Sequence, residues 1–393
     1  MKKLICLLLL IPALSHAESL TWSARMQSLY KTLADLITDV SSEKRFNSPA
    51  NKTRIEQNAK KLSQLAHDLT KPKSDAPDHD PSIQILGNMF ADESARAYRL
   101  LKTGKAPQRA YARELLQSLP GYCIACHTRT QSGPSFTDLP LNPTLKDLRS
   151  IEKGRFFAAT RQFDRAIDEF GQVISEPGAA NQRFADWQES VRNSLGIAVR
   201  MKQDPALALK IVNQVLATQS VPFFMKQDAL TWKSSIEEWQ KEAGKKIDSE
   251  EGTYAEAVRL LAQAQQAQKF PADRGADILY LRASAAVHRL LQLGKEAKHT
   301  NEGYLMAGLC YDVLKTYQLG ELHEIYFESC IRSSPHSNLA QTCYKRYEQA
   351  IYDGFTGSAG TDIPGDIEQK LDDLEALALP TPPAAPAQKQ KLN

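Results

Sequence analysis

The sequence predicts an all-α protein, with a four-helix bundle at the N-terminus followed by an array of helical hairpins. Three observations carry this. Apolar residues recur at alternating steps of three and four through the first third of the chain, the spacing of a one-sided helical stripe. No strand-like alternation competes with it. Beyond a proline-rich break at 131–147, small and aromatic residues recur at matching intervals.

Residues 1–17 read as a secretory signal peptide. Lys2 and Lys3 form a basic start, Leu4 to Leu14 an apolar core, and Ser15 and Ala17 a small-residue cleavage site. Four amphipathic helices then fill 18–119. The first carries Met26, Leu29, Leu33, Leu36 and Val40. The second, after Asn47-Ser48-Pro49, carries Ile55, Ala59, Leu62, Leu65 and Leu69. The third starts at Asp80-Pro81 with Ile83, Leu86, Phe90, Ala97 and Leu101, and the fourth near Ala106 with Tyr111, Leu115 and Leu116. Short polar connections make a bundle the simplest packing.

Segment 131–147 contains three prolines and reads as a linker. After it, Gly154, Phe157, Ala166 and Phe170 are spaced 3, 9 and 4, and Gly196, Val199, Ala208 and Val212 repeat that spacing. A looser third unit holds Gly308, Tyr311, Phe327, Cys330 and Pro335, with Gln318-Leu319-Gly320 as its turn. The pattern resembles the tetratricopeptide repeat, whose small residues let paired helices approach closely. The first two glycines are 42 residues apart, against about 34 in that family. Generic helical hairpins are the alternative, and residues 223–300 are helical without fitting a unit. Hence 148–356 reads as a repeat-like array and 357–393 as a tail: an acidic helix near 365–378, then a Pro/Ala-rich disordered end.

The chain of 393 residues has 49 basic and 46 acidic side chains, with 42% hydrophobic and 24% charged residues. That balance excludes a wholly disordered chain and speaks against nucleic-acid binding, which needs a basic excess. No apolar run after the N-terminus approaches the roughly 20 residues of a membrane-spanning helix. Charge is uneven: residues 18–130 carry +5, 131–356 carry −1 and 357–393 carry −3.

Residues 121–127 are Gly-Tyr-Cys-Ile-Ala-Cys-His. Cys123, Cys126 and His127 make C-x-x-C-H, the attachment signature of one covalent c-type haem. A helical turn aligns both thiols with the two vinyl groups, and the next residue presents an imidazole to the iron. A redox C-x-x-C or a structural disulfide is the competing reading, but no βαβ pattern accompanies it. Export would carry the chain to the periplasm, where c-type haems are attached.

A four-helix bundle with this motif at the end of its fourth helix resembles the cytochrome c′ family and its six-coordinate relatives, over roughly residues 20–130. The resemblance makes Met26, in Met26-x-x-Leu29-x-x-x-Leu33, the distal ligand opposite His127. Core packing is the bland alternative for Met26, and Met89 and His67 are lesser candidates. It also implies that such bundles pair as homodimers. Two departures stand out. Pro120 before the motif suggests a break in the fourth helix. Ser132-Gly133-Pro134 after it is similar to the small mitochondrial-type cytochromes c, which would put the distal methionine downstream, at Met201. Arg25 and Arg129 flank the ligands and are candidates for haem propionate contacts. Of Cys310, Cys330 and Cys343, a disulfide between Cys330 and Cys343 would clamp one hairpin; Cys310 with Cys330, or three free thiols, are the alternatives.

The expected function is that of an exported monohaem electron carrier, not an enzyme. An acidic redox partner would meet the +5 segment, and the array would dock it. The acidic tail could cover that segment instead. Two other classes stay open: a five-coordinate gas-binding or sensing haem, and a repeat scaffold with an ancillary haem.

Overall fold

The computed structural model describes residues 21–71, 81–129, 136, 143–242, 247, 249–294, 296–315 and 322–380. The expected signal peptide (1–17), Ser132-Gly133-Pro134, Gln318-Leu319-Gly320 and the tail from residue 381 lie outside them. The class is all-α: the described residues form seventeen α-helices and one two-residue β ladder, Thr356–Gly357 with Gly360–Thr361.

Five helices precede the proline-rich segment. α1 spans Trp22–Ser41 and begins where the Thr21 side chain accepts a hydrogen bond from the Ala24 amide. Its stripe, Met26, Leu29, Leu33, Leu36 and Val40, is buried. A short α2 (Glu43–Asn47), not foreseen from periodicity, turns the chain into α3 (Pro49–Leu69). α4 (Pro81–Thr103) and α5 (Ala106–His127) follow. α1 packs on α3 and α5, α3 on α4, and α4 on α5.

Polar groups set the register of this set. Asp39, fully buried, accepts hydrogen bonds from Arg45 and Arg54, the latter at 2.8 Å, tying α1 to α2 and α3. α5 closes the other side. Arg113 donates to the carbonyls of Val40 (2.8 Å) and Ser41 (2.9 Å), and Gln117 also donates to Val40. These are end carbonyls of α1 that have no partner inside the helix, and a cation there suits the helix dipole.

α5 runs unbroken through Pro120 into the C-x-x-C-H motif, which corrects the expected break. A proline inside a helix costs about 3 kcal/mol. Leu116, Leu119, Ile124 and Ala125 are buried around it, and each fully buried large apolar side chain contributes roughly 1.5–3 kcal/mol. Packing therefore outweighs the local penalty.

The second half comprises α6 (Ser150–Ala159), α7 (Phe163–Ser175), α8 (Ala179–Gln182), α9 (Phe184–Gly196), α10 (Pro205–Ala217), α11 (Phe223–Glu242), α12 (Glu250–Ala267), α13 (Asp277–Leu291), α14 (Thr300–Leu314), α15 (Leu322–Ser333), α16 (Asn338–Phe355) and α17 (Gly365–Ala378). Sequence neighbours pack as pairs: α6 with α7, α10 with α11, α12 with α13, α14 with α15. A disulfide joins Cys330 on α15 to Cys343 on α16, with Cα atoms 6.2 Å apart, and Cys310 is a buried free thiol. Closing a loop of this size stabilises the chain by about 3 kcal/mol.

The small-residue contacts differ from the sequence pattern in an informative way. At Gly154 and Gly308 an added Cβ would fall inside the rings of Phe170 and Phe327 respectively. These are the first and third units. In the second unit Gly196 has nothing within 4 Å of that position. There α9 continues into a π-helical turn, Ile197–Met201.

Within 131–147 Phe136 and Leu145 are buried, and α5 packs on α6 while α4 reaches α15. One apolar cluster runs from Met26 through Phe136 to Phe170 and Met201, and another joins Ala125 to the array. The acidic helix α17 packs on α15 and α16 through Leu371, Leu374 and Ala378. Its apolar stripe meets the end of the array. Lys370 pairs with Glu328 at 2.6 Å.

Gly154→Ala and Gly308→Ala should each destabilise the chain by about 1–3 kcal/mol through overpacking. Gly196→Ala should stabilise it by up to about 1 kcal/mol through helix propensity. Urea unfolding of the three variants checks the opposite signs.

Candidate functional site

The site begins at the last turn of α5. Cys123, Cys126 and His127 are each half-buried there, and the two thiols are not joined to each other, although Cys330 and Cys343 are paired. Burial, reinforced by the neighbouring Cys126, pushes the Cys123 thiol up to about 12. The position at a helix C-terminus acts in the same direction, since the dipole there disfavours a thiolate. A redox-active C-x-x-C needs the opposite environment, a helix N-terminus or nearby cations.

His127 is held from outside its own helix. Its Nδ1 lies 2.7 Å from the Ala159 carbonyl oxygen. A carbonyl can only accept, so Nδ1 carries the proton and Nε2 keeps its lone pair. Ala159 is the last residue of α6, where carbonyls lack helical partners. Burial is the main cause, and the charge of Arg161 a second, that depress the imidazole to about 4, against the Ala159 hydrogen bond. The ring is neutral at physiological pH and suited to bind a metal through Nε2.

The α6–α7 turn clasps the motif. Arg161 donates from Nη1 to the His127 carbonyl at 3.2 Å. Its φ of 56° is left-handed, which costs an L-residue roughly 1–2 kcal/mol. Beside the imidazole stands an aromatic group. Phe136 lies 6.5 Å from the His127 ring and stacks on Tyr30 at 5.5 Å, and Tyr30 in turn meets Phe156 at 5.6 Å. Met26, one turn before Tyr30 on α1, is buried in the same cluster, against which Cys123 packs.

The remaining candidates are scattered. Arg25 is buried and donates from Nη1 to the Asp68 carbonyl at the end of α3. Arg129 is buried on the array side, where it donates to Tyr326 Oη at 3.1 Å. The two arginines are held by different elements. Met201 is buried at the end of the π-helical turn, Met89 is half-buried on α4 and His67 is exposed. Ala159, Arg161, Tyr30, Phe136 and Phe156 had no place in the sequence reading. The lone aromatic of the proline-rich segment, Phe136, was the one readable signal among them. A backbone carbonyl such as that of Ala159 leaves none.

No protein-family model matches this chain, and no solved structure matches it. Among the described residues, no helix is long and apolar enough to cross a membrane.

A Cys123→Ser/Cys126→Ser chain removes both thiols and reports on His127 directly. Unfolded histidine binds a proton near pH 6.5, whereas folded His127 does so only near 4. Protons then favour the unfolded chain between those values, and stability should fall as pH drops from 6.5 towards 4. His127→Gln in that background should flatten this slope in urea titrations; equal slopes would contradict the assigned burial.

Proposed function

We propose that this chain is an exported c-type cytochrome carrying one covalent haem, which exchanges electrons with a protein partner. The observation that carries the reading is the His127 Nδ1–H bond to Ala159, which leaves Nε2 prepared for iron directly after a C-x-x-C pair. The donor set fits the group. Cys123 and Cys126 would form the thioethers, His127 the proximal ligand and Met26 the distal one, within the apolar and aromatic surroundings of Tyr30, Phe136 and Phe156. Bound there, the haem supplies a one-electron ferric/ferrous couple, and a thioether opposite histidine raises its potential.

In this reading residues 18–130 are a cytochrome c′-like four-helix bundle. The contacts of Gly154 with Phe170 and of Gly308 with Phe327 support tetratricopeptide-like hairpins within 148–356. The array has a role beyond docking a partner, because its first turn holds the haem ligand. Held by both His127 and Met26, the group would serve electron transfer and not substrate chemistry. The +5 of residues 18–130 favours an acidic partner surface and weak, salt-sensitive docking. The signal-peptide pattern of residues 1–17 supports a periplasmic location for the mature protein.

The ferric protein should be low-spin and show the weak long-wavelength band of methionine-ligated haem. Met26→Ala should abolish that band, convert the spectrum to high-spin and lower the reduction potential. A high-spin wild-type spectrum would replace this reading by the gas-binding one. An unchanged Met26→Ala spectrum would remove Met26 from the iron.

Docking should weaken with ionic strength. Reduction of the protein by an acidic redox protein should slow several-fold between 50 and 200 mM salt, on the order of the screening expected for exposed charge pairs. A salt-independent rate would contradict an electrostatic docking face.

A further inference from the structure

The π-helical turn Ile197–Met201 places Arg200 inside the protein. Its side chain is only 3% exposed. Nη2 donates to Tyr311 Oη at 2.6 Å, and the guanidinium lies 5.6 Å from the centre of that ring. Nε is buried with no hydrogen-bond partner. Among the described residues no carboxylate lies within salt-bridge reach of Arg200. Guanidinium does not deprotonate in proteins, so this is a buried charge without a counter-charge, a costly arrangement.

A second cation converges on the same place from the haem motif. Arg129, two residues after His127, lies 5.3 Å from the Tyr311 ring centre and 5.8 Å from that of Tyr326. The two tyrosine rings stack at 5.5 Å. His288 Nε2 is 2.6 Å from Tyr311 Oη. Tyr311 thus joins two guanidiniums and an imidazole, brought together from α13, α14, α15, the π-turn and the end of α5. π-turns inside α-helices occur often at functional sites, and this one is what aims Arg200 inward.

We propose that Arg200 and Arg129 form a buried carboxylate-binding site, with Tyr311 orienting the Arg200 guanidinium. A carboxylate would neutralise the Arg200 charge and accept from its unpaired Nε, the geometry guanidinium recognises best. Two sources share this chemistry. One is a haem propionate, since Arg129 adjoins the haem motif; this source rests on the cytochrome reading above. The other is a free small carboxylate.

The test compares the full-length chain with its Arg200→Met and Arg200→Lys variants. In the first arm, the haem carboxyl groups are labelled with carbon-13 through labelled aminolevulinate, and redox-difference infrared spectra are recorded. A propionate in the site predicts a labelled carboxylate band that moves in Arg200→Met and largely returns in Arg200→Lys. In the second arm, sodium propionate is titrated against the melting temperature. A free carboxylate predicts a concentration-dependent rise in the wild-type chain that Arg200→Met loses. If Arg200→Met does not fold, Tyr311→Phe, which frees the guanidinium from its phenol, should show the same loss in weaker form. A haem-bearing chain in which neither arm responds overturns the site and leaves the cytochrome reading intact. A chain isolated without covalent haem overturns that reading, while the propionate arm still decides the site.

Discussion

One hydrogen bond organises the molecule. His127 ends α5, Ala159 ends α6, and the 2.7 Å contact between them joins the chemical motif to the start of the array. It satisfies a carbonyl that α6 could not satisfy itself. It also fixes which imidazole nitrogen stays available. Arg161 adds a second link in the opposite sense, from the α6–α7 turn back to the His127 carbonyl. A left-handed arginine persists there because the turn is held at both ends.

The rest of the fold positions that contact. Arg113 and Gln117 bind the end of α1 and set the height of α5 against it. Burial of Leu116, Leu119 and Ile124 keeps α5 straight enough through Pro120 to deliver the motif as a single helical turn. On the far side, Phe136 closes the space between Tyr30 and His127. The contacts of α6 and the α6–α7 turn with His127 couple the first hairpin of the second half to the motif, so a change there is felt at the imidazole. A protein of two independent modules would lack that coupling.

What could be read in the sequence follows from periodicity. The stripe of α1, the stripe of α3 and the limits of α17 are repeating patterns, and helices follow such patterns closely. The C-x-x-C-H spacing is local and equally plain. Phe136 and Leu145 were hidden because isolated apolar residues among prolines have no period. Pro120 misled because local propensity yields to packing. The second repeat unit misled differently: its spacing matched, but a π-turn shifts every later side chain around the helix axis, and sequence spacing does not reveal that shift. The same shift put Arg200 inside, where composition would have placed an arginine on the surface.

The central claim is that Cys123 and Cys126 carry haem ahead of an array-held His127. Intact-mass spectrometry of the full-length chain, expressed with c-type maturation machinery and denatured before measurement, tests it most directly. The account predicts a processed chain heavier by one haem, with Cys123 and Cys126 both blocked to alkylation. A chain of bare mass, with both thiols alkylated, would contradict it.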